Sequence, residues 1–141
     1  ALCSVLFFLF LDHLLDPLLA KIFPSSEENY QEALAQLSKA PILTLIQICI
    51  LAPILEETLM RWFLLGGLAI QYGKGVALFT SALLFALLHM NLVQSLSAWI
   101  CGIVLGLLYL HTNSLFCCIV AHMGYNLLAY LTTVLPLFRG K

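Results

Sequence analysis

Residues 41–71 read PILTLIQICILAPILEETLMRWFLLGGLAIQ, an apolar stretch long enough to cross a membrane yet interrupted by three charged side chains. As one helix it is roughly 45 Å long, which exceeds the hydrocarbon core of a bilayer and predicts either tilt or a break at Pro53. Each charge near the centre of such a helix costs about 2.5 to 3.5 kcal/mol on insertion scales. The three charges, Glu56, Glu57 and Arg61, therefore mark a candidate site.

The composition of the whole chain is that of a membrane protein. Of its 141 residues, 62% are hydrophobic and 9% are charged, whereas a soluble domain has about 25% charged residues. The formal net charge is -1, so there is no basic surface to neutralise phosphates, and nucleic acid is excluded as a partner. The five cysteines lie in apolar runs without metal-ligand or disulfide spacing, which is typical of small buried hydrophobic residues.

Outward from the opening stretch, the apolar pattern predicts about five membrane-spanning helices, at about 20 apolar residues per crossing. Glycines at positions 102 and 106 form a G-x-x-x-G pattern, which lets a second helix approach closely. We therefore predict an all-α, polytopic transmembrane bundle in which residues 1–141 form one domain. The predicted spans are residues 2–23, 41–71, 76–90, 96–110 and 115–135.

The one polar segment of any length, residues 24–40, lies between the first two predicted spans. Ser25 and Glu28 have the spacing of a capping box, which predicts a helix beginning at Ser25. Tyr30, Leu34 and Leu37 share one face of that helix. The segment is therefore predicted to be a short interfacial amphipathic helix, with a soluble linker as the alternative.

The spacing of the charges places the two adjacent carboxylates on different faces of the helix. Glu57 and Arg61 are four residues apart, so they share a helical face and can form an ion pair. Glu56 points about 100° away from that face and lacks this partner. It is thus the better candidate for a general base. The alternative for these charges is a buried ion cluster that only holds helices together.

Two further pairs of residues recur at helical spacing, and each pair includes a histidine. Phe85 and His89 are four residues apart, and so are His122 and Asn126. At 1.5 Å per residue, Glu56 lies about 22 Å from one membrane surface, His89 about 20 Å, Asn126 about 16 Å and His122 about 10 Å. Side chains on three spans can therefore meet near the middle of the membrane, although each pair alone is also typical of hydrogen bonds between helices.

In this order the three polar patterns resemble the motifs of the CAAX-protease and bacteriocin-processing (CPBP, or Abi) family of glutamate-dependent intramembrane proteases. The resemblance covers about residues 50–130, the motif-bearing core. It implies a cavity between helices and a membrane-associated peptide or protein as substrate. The matching residues are Glu56-Glu57-x-x-x-Arg61, Phe85-x-x-x-His89 and His122-x-x-x-Asn126.

The resemblance also implies a role for each residue. Glu56 and His89 are expected to hold and deprotonate the attacking water, while His122 and Asn126 stabilise the oxyanion. This division fits peptide hydrolysis, which needs a general base near water and donors directed at the developing negative oxygen. The remaining charged residues of the first motif are expected to support the site.

No cofactor is expected, with one variant left open. Glu56, His89 and His122 also form the ligand set of a catalytic zinc site, with water in the open position. Glu57 and Arg61 remain supporting residues in either case. The sequence lacks an H-E-x-x-H zinc signature, a G-x-S-x-G serine motif and a G-x-G-D aspartate motif.

Two other classes of protein share intramembrane glutamate and histidine. A proton-coupled transporter uses such residues as a relay, and a bacteriocin immunity protein of the same family could carry an inactive site. The chain is predicted to be a multi-pass integral membrane protein. Its compact size favours a prokaryotic member, located in a plasma membrane, or an isolated core of a larger relative.

Overall fold

The computed structural model describes residues 10–37, 39–89 and 91–136. These ranges contain helices joined by short turns and no β-strand, which confirms the all-α prediction. In chain order the helices are α1 (residues 11–22), α2 (Pro24–Leu37), α3 (Pro41–Tyr72), α4 (Lys74–Leu87), α5 (Leu92–Thr112) and α6 (Leu115–Val134).

Three of these helices, α3, α5 and α6, are long and apolar enough to cross a membrane. Helix α4 is also apolar but has only 14 residues, about 21 Å, which is shorter than the hydrocarbon core. The first predicted span begins in residues 2–9, outside the described part of the chain, and continues as α1. The number of five crossings therefore stays a prediction, while the four later predicted spans are confirmed as helices.

Helix α3 continues through Pro53, so the predicted break at this residue is wrong. Proline removes one backbone donor from a helix. Helix α3 also contains π-helical turns on both sides of Pro53, at Gln47–Leu51 and at Thr58–Leu65, in which the hydrogen bonds reach one residue further than in an α-helix. Glu56 and Glu57 lie in the α-helical segment between them.

Helix α2 forms where the polar segment was predicted to be helical, but it begins one residue earlier. Its first residue is Pro24, so Ser25 lies inside the first turn and is not the N-cap residue. The predicted capping box is therefore wrong. Proline is favoured at the first helical position because a backbone N–H there would have no intrahelical acceptor, so its absence costs nothing. The fixed φ of proline also suits a helix.

The predicted apolar face of α2 packs on the end of α6. Leu34 is buried in a cluster with Cys49, Tyr130 and Val134, and Tyr30 packs against the same cluster. This contact places α2 across the space between α3 and α6.

Helices α4 and α5 pack closely, as the glycine pattern predicts. A Cβ atom on Gly102 would lie 3.0 Å from the Cα atom of Ala82 and 3.3 Å from Cδ1 of Phe85, so only glycine allows this approach without rearrangement. The turn before α4 depends on Gly73, whose φ of 83° is in the left-handed region. These contacts hold α4 so that Phe85, and His89 just beyond the end of the helix, face the cavity at the centre of the bundle.

Candidate active site

A cavity of about 330 Å³ lies between α2, α3, α5 and α6. The four residues predicted to be catalytic all contribute to its lining: Glu56 from α3, His89 from just beyond the end of α4, and His122 and Asn126 from α6. The structure thus brings together side chains that are up to 70 positions apart in the sequence.

Behind the cavity, Glu57 is the centre of a fully buried ion cluster. Its Oε2 atom lies 2.9 Å from Nε of Arg61, and its Oε1 atom accepts a hydrogen bond of 3.3 Å from Nη2. Both side chains have no solvent exposure. The predicted pairing of Glu57 with Arg61 is therefore confirmed.

The same carboxylate also contacts α6, which the sequence did not predict. Oε1 of Glu57 lies 2.9 Å from Nδ1 of His122. The pair of Glu57 and Arg61 can be predicted from their spacing of four residues within one helix. The contact between Glu57 and His122, which are 65 positions apart, cannot be predicted from a local pattern. Glu57 therefore links one candidate catalytic residue to the buried guanidinium.

An aromatic ring partly compensates the buried positive charge of Arg61. Its Cζ atom lies 5.1 Å from the centre of the Phe85 ring, within the range of a cation–π interaction. Its Nη1 atom is buried and makes no hydrogen bond within the described residues. The Nε–H lies close to Glu57 but is poorly directed at Oε2, so that contact is an ion pair rather than a good hydrogen bond.

Glu56 has a different environment from its neighbour. Its side chain is 28% exposed, and its Oε2 atom lies 3.7 Å from Nε2 of His122. That separation is too long for a direct hydrogen bond. The carboxylate therefore borders the cavity, near an imidazole but without the close cation that holds Glu57.

The hydrogen bonds of the two imidazoles indicate which ring nitrogens carry protons. His89 Nδ1 lies 3.1 Å from the carbonyl oxygen of Phe85, which can only accept, so Nδ1 is the donor. The Nδ1–H of His122 donates likewise to Oε1 of Glu57, 2.9 Å away. In a neutral His89 ring Nε2 is then the free acceptor.

Phe85 contacts both imidazoles. Its ring centre lies 5.2 Å from that of His89 and 5.8 Å from that of His122, in edge-to-face geometry at 72° and 82°. Only 2% of Phe85 is exposed. The first residue of the second motif therefore packs between the two histidines and the guanidinium of Arg61.

Asn126 is held by the backbone of α3. Its Nδ2 atom donates a hydrogen bond of 2.8 Å to the carbonyl oxygen of Ile48. A carboxamide nitrogen carries two N–H groups. One of them is used in this contact, which leaves the other available to a ligand in the cavity.

The candidate zinc ligands do not form a ready metal site. Within residues 10–37, 39–89 and 91–136, no three His, Cys, Asp or Glu side chains are grouped so as to hold a metal ion. Glu56, His89 and His122 line one cavity without surrounding a common point. The prediction of no cofactor, with zinc as the variant, is left to experiment.

Sequence reasoning missed the part of the lining that comes from α2 and from the start of α5. Tyr30, Leu34 and Gln94 border the cavity beside the candidate catalytic residues. The shared face of Tyr30 and Leu34 was visible as helical spacing, but which helix it covers depends on tertiary packing.

Comparison with known families gives one match. The family model described as type II CAAX prenyl endopeptidase Rce1-like matches residues 38–128, which include every candidate site residue. No curated protein and no solved structure was found to match the chain.

Proposed function

Because the chain belongs to the Rce1-like family of type II CAAX prenyl endopeptidases, we propose that it is an intramembrane endopeptidase that cleaves membrane-associated peptide or protein substrates by glutamate-activated water. Its long apolar helices and its family are those of an integral membrane protein. The family match to peptidases gives no support to a transporter or an immunity protein.

Glu56 serves as the general base in this proposal. Its carboxylate borders the cavity and takes a proton from water, while the free Nε2 atom of His89 accepts the second O–H and orients the attacking oxygen. The oxygen then adds to the scissile carbonyl carbon. A positioned base of this kind contributes about 10² to 10⁴ in rate.

Asn126 and His122 stabilise the negative oxygen that forms. Asn126 supplies its second N–H. His122 needs a proton on Nε2 to donate, and because Nδ1 is committed to Glu57, the donating form is the imidazolium. With Glu56 and Glu57 ionised and Arg61 and His122 positive, the formal charges of the cluster sum to zero, which lowers the cost of burying them.

The tetrahedral intermediate then collapses. The carbon–nitrogen bond breaks, and the proton that Glu56 removed from water passes to the departing nitrogen. The products are a carboxylic acid and an amine, and Glu56 returns to its ionised form. One carboxylate thus acts first as base and then as acid.

The observation that carries this proposal is the convergence of Glu56, His89, His122 and Asn126 on one cavity. A purely structural ion cluster needs Glu57 and Arg61, which neutralise each other within α3. It does not need a second, partly exposed carboxylate facing an imidazole.

The test is cleavage of a fluorogenic farnesylated CAAX peptide by purified protein in liposomes. Glu56→Gln keeps the shape of the side chain and removes the base, so we expect cleavage to fall by about 10² to 10⁴. Glu32→Gln makes the same chemical change on the exposed side of α2 and should keep full activity. Undiminished cleavage by folded Glu56→Gln protein would refute the mechanism.

Metal dependence is tested separately. We expect the purified protein to stay active after dialysis against a chelator, with metal removal verified by elemental analysis. Activity lost on chelation and restored only by zinc would show instead that the metal activates water.

A further inference from the structure

Pro53 leaves a carbonyl group of α3 without a donor from its own helix. The carbonyl of Ile48 could accept from residue 52 in an α-helical turn or from residue 53 in a π-helical turn. The N–H of Ala52 instead bonds the carbonyl of Gln47, and Pro53 has no N–H. Neither regular donor therefore reaches the oxygen of Ile48.

Asn126 is the group that satisfies this oxygen. Its Nδ2 atom, from α6, donates to the Ile48 carbonyl at 2.8 Å. A carbonyl left without a partner at this partly buried position is costly, so the contact is stabilising for α3 as well as for Asn126. Because position 53 has no backbone donor, the Ile48 oxygen is available to accept a hydrogen bond from the Asn126 amide.

We propose that Pro53 is a positioning residue that orients Asn126 by keeping the Ile48 carbonyl open to it. The proposal rests on the proposed function, because its consequence for rate requires Asn126 to be an oxyanion donor. With one N–H anchored on α3, the planar amide cannot rotate freely. Its second N–H then keeps a fixed direction relative to Glu56, which follows Pro53 on the same α-helical segment.

Substitution of Pro53 by alanine restores a backbone N–H at position 53. That donor can bond Cys49 in an α-helical turn or Ile48 in a π-helical turn, and it lets the preceding turn return to α-helical bonding. Asn126 then loses its exclusive hold on the Ile48 oxygen. We expect kcat for the farnesylated CAAX peptide to fall by about tenfold, less than the roughly 10²- to 10³-fold loss of a whole oxyanion donor, with KM unchanged.

A matched proline is available on the same helix. Pro41 begins α3, where a backbone N–H has no intrahelical partner, so Pro41→Ala adds a donor without disturbing an acceptor. We expect it to keep the parent kcat. Equal values of kcat for Pro53→Ala and Pro41→Ala would overturn the proposal.

An ester at position 53 separates loss of the proline ring from gain of the N–H. Lactic acid, introduced by nonsense suppression, has the side chain of alanine but no backbone donor. We expect this variant to recover most of the kcat lost in Pro53→Ala. A kcat as low as that of Pro53→Ala would show that the ring, not the absent donor, matters.

Coupling with Asn126 provides a measurement that does not depend on activity. In the parent protein, Asn126→Ala leaves the Ile48 oxygen without a donor and should shift the unfolding equilibrium by about tenfold, as expected for one intramolecular hydrogen bond. In the Pro53→Ala background the shift should be much smaller, because the backbone N–H takes over the acceptor. Additive shifts would overturn the proposal.

The two measurements distinguish failure of this proposal from failure of the proposed function. Suppose that the unfolding shifts of Pro53→Ala and Asn126→Ala are not additive, but the parent protein cleaves no peptide. The role of Pro53 in orienting Asn126 would then stand, and the proposed peptidase function would be rejected. A parent protein that cleaves the peptide, with additive unfolding and no effect of Pro53→Ala on kcat, would retain the peptidase and reject the anchor.

Discussion

Two walls of the cavity are built from different interactions. In the inner wall, Phe85 and His122 line the cavity and Glu57 and Arg61 lie behind them; these residues join three helices through a buried ion pair, a hydrogen bond and ring contacts. The outer wall is the face of α2 that carries Tyr30 and Leu34, which packs on α3 and α6 through apolar contacts. The inner wall therefore fixes geometry, whereas the outer wall only covers the cavity.

The largest expected effect is on the inner wall. Glu57→Gln leaves the guanidinium of Arg61 without a charged partner in a buried site, which should cost about 3 to 5 kcal/mol in unfolding free energy. Glu56→Gln, one residue away and partly exposed, should change it by less than about 0.5 kcal/mol. Denaturant unfolding of the two variants in detergent makes the comparison, and equal losses would contradict it.

Packing behind the inner wall gives the next effect. Gly102→Ala places a methyl group against the backbone of Ala82 and the ring of Phe85, and we expect it to cost about 2 kcal/mol. Gly67→Ala is the control, because its Cβ meets nothing within 4 Å, and a helix interior gains up to about 1 kcal/mol from this change. A stabilising effect of Gly102→Ala would show that α4 and α5 can separate freely.

The aromatic ring of the inner wall comes third. Phe85→Leu keeps an apolar side chain but removes the contacts with two imidazoles and the guanidinium, which should cost about 1.5 kcal/mol. It should also lower kcat more than it changes KM, because both histidines lose a neighbour that fixes their orientation. Phe79→Leu, on the exposed side of the same helix, loses only one edge-to-face contact, with Trp99, so it should cost less stability than Phe85→Leu and leave kcat unchanged.

The smallest effect on global unfolding is expected on the outer wall. Leu34→Ala removes buried apolar contacts of α2 and should favour its local detachment by about 2 kcal/mol. In denaturant that has already detached α2, unfolding of the remaining helices should change by less than about 0.5 kcal/mol, because α2 is mostly exposed and is expected to open before the core. Hydrogen exchange of α2 should then reach its full rate at a lower denaturant concentration, while exchange of α3 under these conditions stays constant; a shift of both would show that the two walls unfold as one cooperative unit.

The difference between the walls also explains how much of the site could be predicted. The pair of Glu57 and Arg61 follows from spacing within one helix, and the grouping of Glu56, His89, His122 and Asn126 follows from similar depths in the membrane. These predictions need only helical geometry. The face of α2 was predicted as well, since Tyr30 and Leu34 are four residues apart.

The contacts that were not predicted depend on how one helix is placed against another, which the spacing within a single helix does not give. The hydrogen bond from His122 to Glu57 requires the rotation of α6 against α3. The bond from Asn126 to Ile48 requires a π-helical turn, which changes the helical register before Pro53. The predicted helix start at Ser25 was wrong because Pro24, favoured at the first helical position, competes with the capping box.

The ion pair within α3 also bears on the biogenesis of the protein. Residues of α3 leave the ribosome before those of α6, so Glu57 reaches the bilayer without His122. Arg61, one turn further along the same helix, already neutralises it, which reduces the cost of transferring two formal charges into lipid. Glu56 is then the single uncompensated charge on the entering helix, and the later arrival of α6 brings the imidazole of His122 to within 3.7 Å of this carboxylate.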